Sequence, residues 1–164
     1  MINQKLICKI LGQLLFIEAV LMILSWGVAL YYQEDDGFAF LVTILATVGG
    51  GLALKWRGHH ADNSMSRRDA YLVVTLSWII FSLFGTLPFL ISGYLNSFTD
   101  AYFETMSGFT TTGATIIDDV EALPHGLLFW RSLTQWIGGL GIVFFTIALL
   151  PSLVGGQTKV FAAE

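Results

Sequence analysis

Charge is what this 164-residue sequence has least of: 12% of its residues are Asp, Glu, Lys or Arg, against 55% apolar and 14% aromatic, at a mean hydropathy of +0.71. That scarcity excludes a soluble enzyme domain, because the polar stretches between the apolar runs are too short and fragmented to bury a core. Cysteine is almost absent; the single Cys8 excludes an intrachain disulfide and, at the edge of the first apolar stretch, reads as a lipid-facing or packed sulfur. No nucleophile motif, phosphate-cradling glycine loop, basic nucleic-acid stripe or internal repeat is present, and collagen, coiled coil and disordered tail do not fit the composition.

What is present is membrane-length apolar sequence. Residues 37–54 give 18 positions without a charge, 70–94 give 25, and the interval between Arg131 and Lys159 gives 27. Ile10–Tyr32 adds 23 with Glu18 as its one charge. Roughly 20 apolar residues cross about 30 Å of hydrocarbon as a helix, so four spans are expected. Lys5 and Lys9 ahead of an apolar run resemble a signal peptide, but the run is too long and leads into Glu34-Asp35-Asp36 without a small-residue cleavage site, so a retained helix is expected.

Basic residues set the orientation. With the N-terminus and C-terminus cytoplasmic, Lys5, Lys9, Lys55, Arg57, Arg67, Arg68 and Lys159 fall inside and Arg131 alone outside, facing Glu34, Asp35, Asp36, Asp100, Asp118, Asp119 and Glu121. Such an acidic face concentrates cations, and it serves solubility equally well. The expected organisation is a transmembrane hairpin (1–54) reversing at Gln33–Gly37, where Gly37 suits a tight turn; a basic linker (55–69), with Arg67-Arg68 among lipid head groups; a helix, re-entrant loop and helix (70–150), its helices ending near Tyr94 and starting near Gly126; and a cytoplasmic tail (151–164).

The residues between the last two spans do not read as an ordinary loop. Phe98, Ala101, Tyr102, Met106 and Phe109 follow helical spacing, and Ser97 with Asp100 forms a capping pair, which predicts a short helix over 97–109. Thr110-Thr111-Thr112-Gly113-Ala114-Thr115 follows at once. Non-helical backbone at membrane depth is tolerated only where it is buried in protein or lines water, and there its carbonyls can replace a cation's hydration shell. Gly113 can take the positive φ that lets successive carbonyls share an axis, and the short helix directs its negative C-terminal end at the same place. Plain turns also carry Thr-Thr-Gly, so the weight rests on the order of span, capped helix, strand, acidic turn and span.

At these residues the sequence resembles the Trk/Ktr/HKT superfamily of potassium transporters, particularly the bacterial TrkH/TrkG branch. The stretches that carry the likeness are Phe84-Gly85-Thr86-Leu87-Pro88-Phe89-Leu90, the segment Phe103–Thr115, and Phe129-Trp130-Arg131-Ser132-Leu133-Thr134-Gln135-Trp136-Ile137-Gly138-Gly139-Leu140-Gly141. The resemblance implies an all-α integral membrane protein of the bacterial inner membrane, in which four pseudo-repeats surround one ion path. It implies Gly113 as the filter glycine of the first repeat, Thr111, Thr112 and Gly113 as carbonyl donors to potassium, and Thr110 and Ala114 flanking them. Glycine rather than serine at position 113 favours potassium over sodium. No tightly bound cofactor is implied; potassium is the substrate. Implied partners are the lipid bilayer, a cytoplasmic nucleotide-binding TrkA-like regulatory subunit and a second permease, with no nucleic acid.

One repeat supplies one quarter of a filter, and its strand would otherwise face lipid at several kcal/mol per unsatisfied group. The preferred expectation is therefore the N-terminal part of a longer permease; the alternatives are a homotetrameric channel or a non-conducting truncated fragment. Glu18 is expected to be protonated or hydrogen-bonded through Thr43 or Thr47, with a proton or cation role as the sharper reading. Gly49-Gly50-Gly51 and Gly138-Gly139-Gly141 are expected to permit close helix packing. Arg131 is expected to pair with Asp118, Asp119 or Glu121, and Trp130 to sit in the outer interfacial belt. His59-His60 with Asp62 is a weak metal signal, better explained as solvated linker.

Overall fold

The computed structural model describes residues 2–59, 61 and 66–161. The described elements are helices: α1 (Gln4–Tyr32), α2 (Gly37–Arg57), α3 (Arg67–Gly85), α4 (Leu87–Ile91), α5 (Phe98–Phe109) and α6 (His125–Phe161), with a 3-10 turn at Val120–Ala122 before α6. Among the described residues, three segments are long and apolar enough to cross a membrane: Gln4–Tyr32, Gly37–Arg57 and Arg68–Ile91. The fourth expected span lies on α6.

The α1–α2 hairpin packs along its length because both partners are glycine at the tightest point: a Cβ on Gly12 would stand 2.7 Å from the Gly51 carbonyl oxygen. The reversal does not depend on Gly37, which is the first residue of α2. Gln33 makes it instead, with φ of 56°, donating its N–H to the carbonyls of Ala29 and Leu30. A left-handed residue after the last helical turn is the ordinary way to satisfy terminal carbonyls, and nothing in the spacing of polar residues distinguishes Gln33 from its neighbours.

At the other end, Ser66 and Asp69 form a capping box on α3, and the second Asp69 oxygen accepts the Asn3 N–H at 2.9 Å. This ties the start of α1 to the start of α3. The span then breaks before Tyr94: α3 stops at Gly85 and α4 restarts at Leu87. Pro88 is the reason, since it has no N–H for the Phe84 carbonyl and its ring crowds that turn. The Gly85 carbonyl is used differently, accepting the Trp130 indole N–H at 3.0 Å. Trp130 is thus a fully buried core residue rather than an interfacial one, packed with Met22, Phe40, Phe89, Phe109 and Leu127.

α6 continues to Phe161, over the residues from 151 expected to form the tail. Proline's fixed φ is helical, so Pro151 removes one hydrogen bond without forcing a stop. His60, Asp62 and Ala162–Glu164 lie outside the described residues, and so does the metal reading that used the first two. α1 contacts α2, α3 and α6, and α5 is held between α3 and α6; the hairpin thus backs the helices that hold the short one.

Candidate functional site

The short helix α5 starts as its sequence suggests, with the Ser97 hydroxyl accepting the Asp100 N–H. Its end is more specific. The Thr111 N–H bonds the Gly108 carbonyl at 2.9 Å and the Thr112 N–H bonds the Ser107 carbonyl at 3.0 Å, the paired bonds of a Schellman cap. The left-handed position of that cap is usually glycine, and here it is Thr111, at φ 55°. A β-branched residue in this region is a true outlier, costing on the order of 1–3 kcal/mol and persisting only where the surroundings impose it. Gly113 follows at φ 75°. The sign of φ therefore changes along the strand: −82° at Thr110, positive at Thr111, not positive at Thr112, positive at Gly113.

This strand is exposed from Thr110 to Ile116, and it is held from one side. The Ser107 hydroxyl donates to the Ala114 carbonyl at 2.6 Å, turning that oxygen toward α5. Thr110 and Thr112 hydroxyls bond each other at 2.8 Å. Beyond Ala114 the anchor is Glu104, 2% exposed on α5. Its carboxylate accepts the Thr115 hydroxyl at 2.9 and 3.1 Å, the Ile116 N–H at 3.0 Å and the Arg131 guanidinium at 2.5 Å. One buried side chain thus joins α5, the strand and α6. Arg131 pairs with Glu104 and not with the expected Asp118, Asp119 or Glu121, because its place on the second turn of α6 faces the buried side of α5. Asp118 and Asp119 are exposed, and Asp119 caps the 3-10 turn by accepting the Glu121 N–H at 3.1 Å.

Helix α6 reaches α5 at backbone distance. A Cβ at Gly138 would overlap the Phe109 carbonyl, and one at Gly108 would overlap the Thr134 hydroxyl. The close-packing expectation therefore holds at Gly138, which packs against Phe109, the last residue of α5 before the strand. An open cavity of about 340 Å³, lined by Thr99, Tyr102, Phe103, Met106, Ser107, Thr110 and Thr112, lies between α5 and the start of the strand.

The acidic hairpin turn proves structural. Glu34 accepts the His125 N–H at 2.6 Å and its ring nitrogen at 2.8 Å, and Asp36 accepts the Leu127 N–H at 3.1 Å, so two of these acids cap α6 from across the chain. His125 also stacks on Tyr32 at 3.8 Å. Desolvation pushes the Glu34 carboxyl up, but the bonds from His125 outweigh it and hold the group below its ordinary value. Asp36 is raised, chiefly by burial, against the bond from Leu127.

Thr110, Thr111, Thr112, Gly113 and Ala114 thus lie on one strand, whereas Asp118, Asp119 and Arg131 do not form the cluster expected of them. Glu104 and Ser107, whose side chains hold the strand, are not singled out by the sequence pattern. The available signal is an acid on a helix that otherwise buries small and apolar residues.

The chain is similar to known proteins over nearly its whole length. The family model described as TrkH, cation transport protein, matches residues 36–164. The Trk system potassium uptake protein TrkH of Halomonas elongata is 40% identical over 163 residues, covering 99% of this chain and 34% of that protein. TrkH of Salmonella typhimurium is 38% identical over 161 residues, 98% of this chain and 33% of that protein. TrkG of Escherichia coli is 37% identical, covering 99% and 34%. The crystal structure of the potassium transporter TrkH from Vibrio parahaemolyticus superposes with a TM-score of 0.83 at 37% identity, covering 90% of this chain and 32% of that one. The chain spans about a third of the length of these relatives.

Proposed function

This chain belongs to the TrkH cation transport family, and from that premise we propose that it forms the first pore repeat, with the preceding hairpin, of a potassium uptake permease. The relatives named as potassium uptake proteins support the substrate. The observation that carries the site is the strand of alternating φ sign, fixed from behind by Ser107 and Glu104. An extended chain points neighbouring carbonyls to opposite sides; the changes of handedness at Thr111 and Gly113 are what allow carbonyls to gather on one side, toward a dehydrating cation.

In this reading Thr111, Thr112 and Gly113 offer backbone oxygens, Thr110 supports them through its bond to Thr112, and the Ala114 carbonyl serves the scaffold by accepting from Ser107. The negative C-terminal end of α5 stabilises the arriving charge. Glu104 and Arg131 are positioning residues, since they touch the strand's support and not the ion. The exposed face of the strand and the cavity beside it receive the remaining repeats of the permease. The termini are cytoplasmic, in a bacterial inner membrane, and the permease pairs with a second copy and a TrkA-like nucleotide-binding subunit.

Gly113→Ser in the intact permease tests this. Uptake of potassium against sodium in a transport-deficient bacterium should lose discrimination while the protein still inserts. Unchanged discrimination would remove the strand from the ion path.

A further inference from the structure

Glu18 sits in the middle of α1, 1% exposed, and neither carboxylate oxygen has a hydrogen-bond partner. One of them, Oε1, lies against Gly85 at the α3–α4 break: a Cβ built there would meet it at 3.3 Å, together with Cγ2 of Thr105 and a ring carbon of Phe109. The carboxyl therefore stands where the α3–α4 break meets the Thr105 and Phe109 side chains of α5.

The donors expected for it on α2 and those beside Gly85 are committed elsewhere. Thr43 and Thr47 on α2 donate down their own helix to the carbonyls of Ala39 and Thr43, each at 2.8 Å. Thr105 on α5 donates to Ala101 at 2.8 Å, Thr86 to Ser82 at 2.5 Å, and the Trp130 indole to Gly85 at 3.0 Å. None of these neighbours titrates. Glu104, the buried charge of α5, is neutralised by Arg131 of α6. Because Glu18 is enclosed by this chain alone, no side chain of another repeat or subunit can reach it. Only a species that fits between packed side chains can neutralise it. A metal cation needs several converging oxygens, whereas methyl and aromatic carbons share the Gly85 contact. A proton needs one.

A second observation points the same way. Among the described residues, the other buried side-chain oxygens without a partner are Oγ of Ser25 and Oδ1 of Asp36. Ser25 lies on the buried stripe of α1 that also holds Glu18, Met22 and Ala29, two turns and about 10 Å from Glu18. Asp36 closes the hairpin at the end of that stripe, beside Glu34, Asp35 and His125. The unpartnered acceptors thus run from the hairpin turn toward the middle of the span.

We propose that Glu18 is a proton-binding site, reached from the hairpin turn past Asp36 and Ser25 and separate from the ion path, whose bound proton keeps the α3–α4 break and the rear of α5 in place. The step is the simple addition of a proton from water at the turn to a carboxylate oxygen, giving a neutral carboxylic acid. It stands whether or not the ion-path reading holds.

The test is infrared spectroscopy of the intact permease in liposomes at neutral pH. A protonated-carboxyl stretch should be present, should shift in deuterated water, should vanish in Glu18→Gln and should move without vanishing in Glu18→Asp. Asp36→Asn should slow the deuterium shift. A wild-type spectrum without that band, or a band that Glu18→Gln and Glu18→Asp both leave untouched, overturns the proposal; a deuterium shift as fast in Asp36→Asn as in the wild type overturns the proposed route.

Discussion

Two glutamates are buried to the same degree in this protein, and their surroundings are opposite. Glu104, in front, accepts from a hydroxyl, a backbone N–H and a guanidinium; Glu18, behind, accepts from nothing. A buried carboxylate with matched donors fixes geometry, as Glu104 does for the strand. One without them is costly unless it is neutral. The same residue type thus acts as a clamp on one side of α5 and as a proton holder on the other.

The comparison breaks most visibly at Glu104. Glu104→Ala leaves Arg131 uncompensated and frees Thr115 and Ile116, and should cost about 3–5 kcal/mol, read as a lower thermal midpoint of the purified permease. Glu104→Gln should remain clearly destabilising. Glu18→Gln should be neutral or stabilising by the same assay, since it removes no hydrogen bond. If the two Gln variants behave alike, the contrast is wrong. Gly138→Ala forces α6 away from the Phe109 carbonyl and should cost about 1–3 kcal/mol, with loss of potassium uptake exceeding any loss of insertion. Trp130→Phe removes the bond to Gly85 on the Glu18 side, for about 1 kcal/mol. Glu34→Gln should have the smallest effect, under about 1 kcal/mol at its exposed site. Because the folded Glu34 carboxyl titrates below its ordinary value, its contribution is present above that value and is lost as pH falls through the folded one. The protection factor of the His125 amide, its exchange corrected for the intrinsic rate at each pH, should therefore fall at acid pH in the wild type and show less of that acid dependence in the variant.

Much of this architecture is legible in one sequence, because membrane thickness and helical spacing act on contiguous residues. The hairpin, the capped α5 and the position of the strand follow from such local rules, and Ser97 is found where its cap is expected. What is not legible depends on partners distant in the chain. Arg131 lies 27 residues from Glu104 and is closer in sequence to three other acids. Trp130 has the composition of an interfacial residue until the α3–α4 break brings the Gly85 carbonyl to it. Thr111 occupies a glycine's position in the cap, and no propensity would place it there. Thr43 and Thr47 are natural partners for Glu18 by position, but both hydroxyls are satisfied within their own helix, which is the nearest bond available to a buried threonine.

The central claim is that the Thr/Gly strand lines the path of the cation. The most direct measurement is rubidium uptake by the intact permease carrying Thr112→Cys in a Cys8→Ser background, before and after a small cationic thiol reagent. The account predicts inhibition that external potassium prevents. Complete modification of the introduced thiol with undiminished uptake would contradict it.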